Sequence, residues 1–204
     1  MKRSTSAVSV IALAVLVAAC THTVTFKLTP DFGAGVSKQT ALSQVQPGIK
    51  FARGKVADKR ADISKLSTFK QGAHTFNVFG ARPIEEVVAE GLGKFFTSSG
   101  HEWVDASAAE VRVDLQILSV NTGRNAGFVT VGASSGIQIK LDFVDVKTSQ
   151  TLFSEIYNGK DERERAMVGT MSMVEESMNA AIVNCINAVG KDSDLAKALK
   201  KLRA

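Results

Sequence analysis

Apolar residues recur along this chain in two periods, and the switch between them divides it into strands and helices. Alternation of period two marks strands with one wet face. Val111, Val113, Leu115 and Ile117 alternate with Arg112, Asp114 and Gln116, and Ile137, Ile139, Leu141 and Phe143 with Gln138, Lys140 and Asp142. Shorter runs predict strands at Ile49–Val56, Thr75–Phe79, Glu102–Val104, Phe128–Val131 and Thr151–Tyr157. In the first of these the phase slips near Arg53 and Gly54, which predicts a bulge. Polar stretches separate the runs: Ser64–Ala73 reads as a loop, Asn121–Gly127 and Lys147–Gln150 as turns.

The period lengthens to three and four in two places. Pro83 opens a helix whose stripe is Ile84, Val87, Val88, Leu92, Phe95 and Phe96, stopped by Ser98, Ser99 and Gly100. A second helix runs from Thr170 or Ser172 to Val189, with Met171, Val174, Met178, Ile182, Cys185 and Val189 on one face. Ser172 and Glu175 have capping-box spacing, and Gly190 reads as the stop. Asp194–Leu202 predicts a short terminal helix. Strands with one apolar face and helices with one apolar stripe pack most economically as an α+β two-layer sandwich. The expectation is a mainly antiparallel sheet of about five to six strands, linked as a meander, with two longer helices on one face.

The N-terminus follows a different rule. Lys2 and Arg3 precede thirteen apolar or small residues, Ala7 to Ala19, interrupted by Ser9 alone. A spanning helix needs about 20 apolar residues, so this run reads as a signal peptide. It ends in Val17, Ala18, Ala19 and Cys20, which resembles a bacterial lipobox. That likeness implies cleavage before Cys20 and a lipid on its thiol; cleavage after Ala19 without lipidation is the alternative. Resemblance to sorted lipoproteins further implies that Thr21, not being aspartate, directs the protein to the outer membrane, lipid-anchored on the periplasmic face. The expected organisation is a signal peptide at 1–19, a lipidated tether at 20–47 with one short strand, and a single α+β domain at 48–204.

Charge narrows the partners. The formal charge of +5 falls to +3 once Lys2 and Arg3 are removed, too small an excess to argue for nucleic acid. Lys197, Lys200, Lys201 and Arg203 read as a solvated face, with attraction to anionic headgroups as the second reading. No catalytic, cofactor or metal site emerges from the remaining residues. His22, His74 and His101 are far apart in sequence and read as exposed. Cys185 lies on an apolar helix stripe and reads as a small buried hydrophobe, either free or bridged to another chain. Asp58 and Asp62 beside Arg60 read as a salt-bridged turn. Gly132–Gly136 lacks the strand-to-helix setting of a nucleophile elbow and reads as a flexible hairpin connection. Trp103, beside a turn, suits either a partial core position or a ligand platform.

The order of these features, with Val56-x-Asp58-x-Arg60 and the helix, glycine, aromatic-Val passage at 92–104, resembles the YajG-type family of uncharacterised bacterial lipoproteins over residues 45–200. His101 and Glu102 depart from it, where a bulky apolar residue is more usual. The resemblance implies an outer-membrane lipoprotein facing the periplasm, without established enzymatic activity or cofactor. A broader likeness to small α+β lipoproteins implies an accessory subunit of an envelope machine, such as an activator of peptidoglycan synthases. The function expected is therefore a non-enzymatic binding or accessory module of the cell envelope. It is held to the membrane through Cys20 and docks an envelope protein or peptidoglycan through an edge strand or through Phe128, Val129, Val131 and Trp103. A cell-wall hydrolase with an unrecognised site and a self-associating structural lipoprotein are the alternatives; the oligomeric state is not legible.

Overall fold

The computed structural model describes residues 20–33, 40–126, 130–166 and 171–203. Within them the chain forms β1 (Thr21–Phe26), β2 (Lys50–Asp58), β3 (Ser67–Gln71), β4 (His74–Gly80), α1 (Ile84–Ser98), β5 (Glu102–Trp103) and β6 (Val111–Ala126). It continues with β7 (Thr130–Asp145), β8 (Thr151–Ala166), α2 (Met171–Lys191) and α3 (Ser193–Lys200). The fold is α+β, as expected, but its eight strands form two sheets, ordered β5-β2-β6-β7-β8 and β1-β4-β3. The smaller sheet follows the far half of β6, where Thr122 N–H donates to Ser67 Oγ (3.1 Å), and the whole curls into a half-barrel.

β6, β7 and β8 are the antiparallel meander read from the sequence. Val111, Val113, Leu115 and Ile117 turn inward beside Ile139, Leu141 and Phe143, all buried. The wet face carries Arg112–Asp114 and Lys140–Asp142 ion pairs at 2.8 and 3.0 Å. All three strands are 16 residues long, well beyond the expected bounds. In β6 the register shifts between Ile117 and Ser119, so the inward phase passes from odd to even positions. Val120 and Thr122 then face inward opposite Ile137 and Ser135. Asn121–Ala126 is thus strand and not a turn, and Gly132–Gly136 lies within β7 instead of forming a flexible connection. Their small polar side chains suit the curled, partly covered end of a sheet, a setting that resembles a turn in composition.

Three pairings are parallel: β2 with β6, β2 with β5, and β1 with β4. Parallel partners are distant in sequence, so alternation within each strand carries no sign of them. The slip expected in β2 is present, between Arg53 and Val56. Ser67–Gln71, expected inside a loop, is β3, paired with β4 around Phe69↔Phe76.

The segment expected as a tether is built into the domain. β1 forms its short strand and ends in the buried Phe26, and beyond it Leu28, Phe32, Leu42 and Val45 are buried. Ala41 N–H donates to the Gly190 carbonyl at 2.9 Å, tying the segment to α2. Its apolar residues are irregularly spaced among Thr, Ser and Gln, and they find partners only across the fold.

α1 and α2 cover one face of the large sheet, as expected. Phe51 stacks on Phe96 of α1 with ring centroids 4.2 Å apart. α2 lies over β8 at close range: a Cβ on Gly159 would collide with the Ala181 carbonyl oxygen and reach 2.6 Å from Cys185 Cβ. Gly190, expected as the helix stop, is inside α2, where a Cβ would come 2.8 Å from the Phe95 ring. Tyr157 O–H donates to Asp192 Oδ2 (2.8 Å), while Asp192 Oδ1 accepts the Asp194 and Leu195 N–H groups that open α3. Burial, then the hydrogen bond to Asp192, raises the Tyr157 phenol above its usual range and keeps it a donor.

Gly159→Ala is expected to lower stability by about 3 kcal/mol, because backbone on both sides must separate to admit one methyl. For a domain of this size that is a fall of about 9 °C in Tm. A thermal melt within 2 °C of wild type would refute the close approach, a window set by ~2–4 °C per kcal/mol.

Candidate functional site

A groove of about 670 Å³ opens on the outer side of α1, lined by Phe32, Glu90, Gly93, Lys94, Thr97 and Trp103 among others. Two glycines one residue apart create it. Leu92 points into the core, whereas Gly91 and Gly93 let aromatic rings lie against the helix backbone. A Cβ at 91 would sit 2.5 Å from Phe32 Cε1, and one at 93 would press on the Trp103 indole at 3.1–3.2 Å. Trp103 is half-buried and nearly parallel to Phe96, centroids 5.9 Å apart, so it forms the outer member of a Phe51–Phe96–Trp103 stack rooted in the core. The partial-core position expected for Trp103 is what the structure shows, and the same residue lines the groove.

Charge sits at the rim of this groove. Lys94 Nζ is 2.6 Å from Glu90 Oε1 and 5.6 Å from the Phe32 ring centroid, and Arg82 reaches Glu90 Oε2 at 2.9 Å. Hydrogen bonds from Lys94 and then Arg82 hold the Glu90 carboxyl below its ordinary value. Such a surface suits an apolar or aromatic group flanked by a polar one. Sequence reasoning found Trp103 but missed Phe32, which it placed in the tether; the Gly91-Leu92-Gly93 spacing on a helix was the available signal.

A second cluster lies at the end of the smaller sheet. Cys20 is exposed, and its carbonyl accepts the Thr75 N–H at 2.9 Å, one step before the Thr21↔Thr75 pair. His22 and His74, expected far apart, meet here with Nε2 and Nδ1 2.9 Å from each other. The parallel pairing of β1 with β4 brings them together, and Phe76 stacks on His22 at 4.9 Å. Among the described residues no group of three or more His, Cys, Asp and Glu is placed to hold a metal ion.

The other candidates resolve into structural roles. His101, expected exposed, is buried edge-on against Phe51, with Nε2 3.4 Å from the Leu42 carbonyl oxygen. It packs there because residues 40–45 cover it. Cys185 is buried in α2, and burial pushes its thiol up to about 12, so it stays protonated. Val131 is half-buried against the core in β7; Phe128 and Val129 lie outside the described residues. One edge of the large sheet is β8, whose exposed Glu155, Lys160, Glu162 and Glu164 oppose pairing with another strand; the other is the two-residue β5, which pairs only Lys50 and Phe51 of β2.

Asp58 and Asp62 do not converge as a catalytic pair. Arg60 forks onto both oxygens of Asp58, Nη2 to Oδ2 at 2.6 Å, and its Nη1 donates to the carbonyls of Lys65 and Leu66. The Val-x-Asp-x-Arg segment thereby clamps the end of β2 to the loop that enters β3. Asp62 bonds Ser64 and Lys65 at the surface, and the Ser64 hydroxyl first among these holds its carboxyl at about 2. This is the salt-bridged turn expected from the sequence.

A family model described as an uncharacterized lipoprotein matches residues 53–200. No curated protein matches the chain in sequence. Among solved structures, protein XCC0632 from Xanthomonas campestris is similar with a TM-score of 0.55 at 8% identity, over 76% of this chain and 91% of that one. A neuraminyllactose-binding hemagglutinin homolog from Helicobacter pylori gives 0.41 at 11% identity, over 78% and 94%. Lipoprotein GNA1162 from Neisseria meningitidis gives 0.32 at 8% identity, over 62% and 90%. Among the described residues no helix is long and apolar enough to cross a membrane.

Burial pushes the Asp58 carboxyl up, yet the hydrogen bonds and charge of Arg60 outweigh it and leave it below its ordinary value of 3.8. A carboxylate depressed in the folded state stabilises above its unfolded value and loses that contribution as pH falls through the folded one. Asp58→Asn is expected to cost about 2 kcal/mol at pH 7, since it strands a largely buried guanidinium. Urea unfolding should show this difference narrowing below about pH 4. Equal stability of the two proteins at pH 7 would remove the clamp.

Proposed function

The chain belongs to the YajG-type family of uncharacterised lipoproteins, and from that membership we propose that it is a non-enzymatic binding module of the cell envelope, anchored at the periplasmic face of the outer membrane through a lipid on Cys20. The observation that carries the binding role is the groove between Phe32 and Trp103 on α1. It is concave, aromatic at both sides and edged by Glu90, Lys94 and Arg82, the chemistry of a site that grips an apolar anchor and orients it with a charge. A half-exposed indole backed by two core phenylalanines is rigid, so it loses little freedom on meeting a partner. An envelope protein is the partner this surface fits best, because peptidoglycan presents sugars and short peptides richer in polar groups.

Anchoring draws on the sequence before Cys20 and on the exposure of that residue beside β1.

Fractionation of cells and crosslinking in intact cells test both parts. Cys20→Ala is expected to move the protein from the outer-membrane fraction into the soluble periplasmic one. Trp103→Ala, with its fold verified by a thermal melt, is expected to lower the crosslinked yield by about tenfold, equivalent to ~1.4 kcal/mol of lost contact. A Cys20→Ala protein that remains with the outer membrane would defeat the anchor, and an unchanged crosslinking yield would defeat the groove.

A further inference from the structure

On the anchoring reading above, we infer that the end of the half-barrel bearing Cys20 rests directly on the phospholipid headgroups of the membrane that holds its lipid, and that the β6–β8 strands hold the Trp103 groove away from that membrane. The first support is the lack of slack. Cys20 already bonds to β4 through its carbonyl, and Thr21 is the first paired residue of β1, so no free chain separates the acylated residue from the folded sheet. Had residues 20–47 been an unfolded tether, they would have reached about 90 Å. Here the reach is that of one side chain.

The second support is the chemistry of this end. His22 and His74 are exposed beside Cys20, Arg124 Nη1 donates to Gln71 Oε1 at 3.2 Å across the gap between the sheets, and Lys70 is exposed on the outer side of β3. These groups match the phosphates and ester carbonyls of headgroups. Among the described residues, the exposed large hydrophobic ones, Ile63, Val146 and Ile156, lie elsewhere. Toward this end Glu162 and Glu164 are exposed on the outward face of β8, while Asp161 and Glu176 of α2 are both paired with Arg163.

The third is the placement of the groove. Trp103 pairs with Phe51, which pairs with Val111 at the start of β6, whereas Arg124 lies near its end. Thirteen residues of strand, about 40 Å, separate the two levels.

The test uses the full mature protein, acylated and reconstituted in vesicles of phosphatidylethanolamine and phosphatidylglycerol that carry a headgroup quencher. A fluorophore is placed at Lys70→Cys or at Thr148→Cys, both exposed; Cys185 is buried and does not compete for label. The Lys70 label is expected to be quenched about fivefold more than the Thr148 label, given contact on one side and ~40 Å of strand on the other. Inserting about ten Gly/Ser residues between Cys20 and Thr21, a coil of roughly 17 Å root-mean-square span, is expected to abolish that difference. Equal quenching of the two labels without the insertion overturns the inference; a difference that survives the insertion supports contact made by the side chains of this end and not by the short link alone. Intact mass measured on the same preparation separates the two levels of failure: an acylated protein with equal quenching defeats this inference alone, and one lacking the acyl group defeats the anchor and this inference together.

Discussion

Helix α2 and strand β8 come together at a distance set by the absence of a side chain at Gly159. With no Cβ there, the Ala181 carbonyl and Cys185 press onto the strand, and most of the packing follows from that contact. Met178, Ile182 and Val189 sink into the sheet, and Ser177 Oγ donates to the Asp161 carbonyl at 3.0 Å. At the far end of the helix, Gly190 admits the Phe95 ring, which sets the position of α1. α1 in turn presents Phe96 to Phe51 and Trp103. The aromatic stack at the groove is therefore positioned by a chain of close contacts that begins on the opposite edge of the large sheet. In a close-packed interior, added volume at one contact displaces its neighbours.

Local patterns carried a definite part of this fold. The alternation of Val111–Ile117 and Ile137–Phe143 identified the central strands and their buried faces, and the stripes of α1 and α2 identified the covering helices, because each pattern is complete within one element. What lay beyond local pattern was partnership. Nothing in Thr21–Phe26 announces that it will lie parallel to His74–Gly80, and nothing in Phe26, Leu28, Phe32, Leu42 and Val45 has a period. These residues are apolar one at a time, and what buries them is a surface assembled from distant elements. Composition misled in the same way at Asn121–Ala126 and Gly132–Gly136, where glycine, serine and asparagine mark the strongly curled end of a sheet and not a turn.

The candidate site divides along the same line. Trp103 was legible as a partly buried residue because a tryptophan beside a turn stands out. The Asp58–Arg60 clamp was legible because its partners are two residues apart. His22 and His74 were not, since they are 52 residues apart and meet only through parallel pairing. His101 is the converse case: its sequence neighbours are polar, yet Leu42 and Phe51 enclose it from elsewhere in the chain. Phe32 required both kinds of information, a bare position on α1 at Gly91 and a preceding segment that folds back across it.

On the proposed anchoring, these particulars give the molecule a fixed reach. A flexible tether spreads a domain over a broad range of heights, which lowers its effective concentration at any one of them and makes its orientation free. Sixteen-residue strands joined in one antiparallel meander span a comparable distance without that spread, because each is hydrogen-bonded along its length to a neighbouring strand. Folding residues 20–33 and 40–47 into the domain therefore exchanges reach for position: the anchor is drawn against one end of the half-barrel while the strands carry the groove toward the other. A partner held at a set distance from the same membrane would meet Trp103 repeatedly in one orientation, which favours recognition by a small rigid surface over recognition by a large adaptable one.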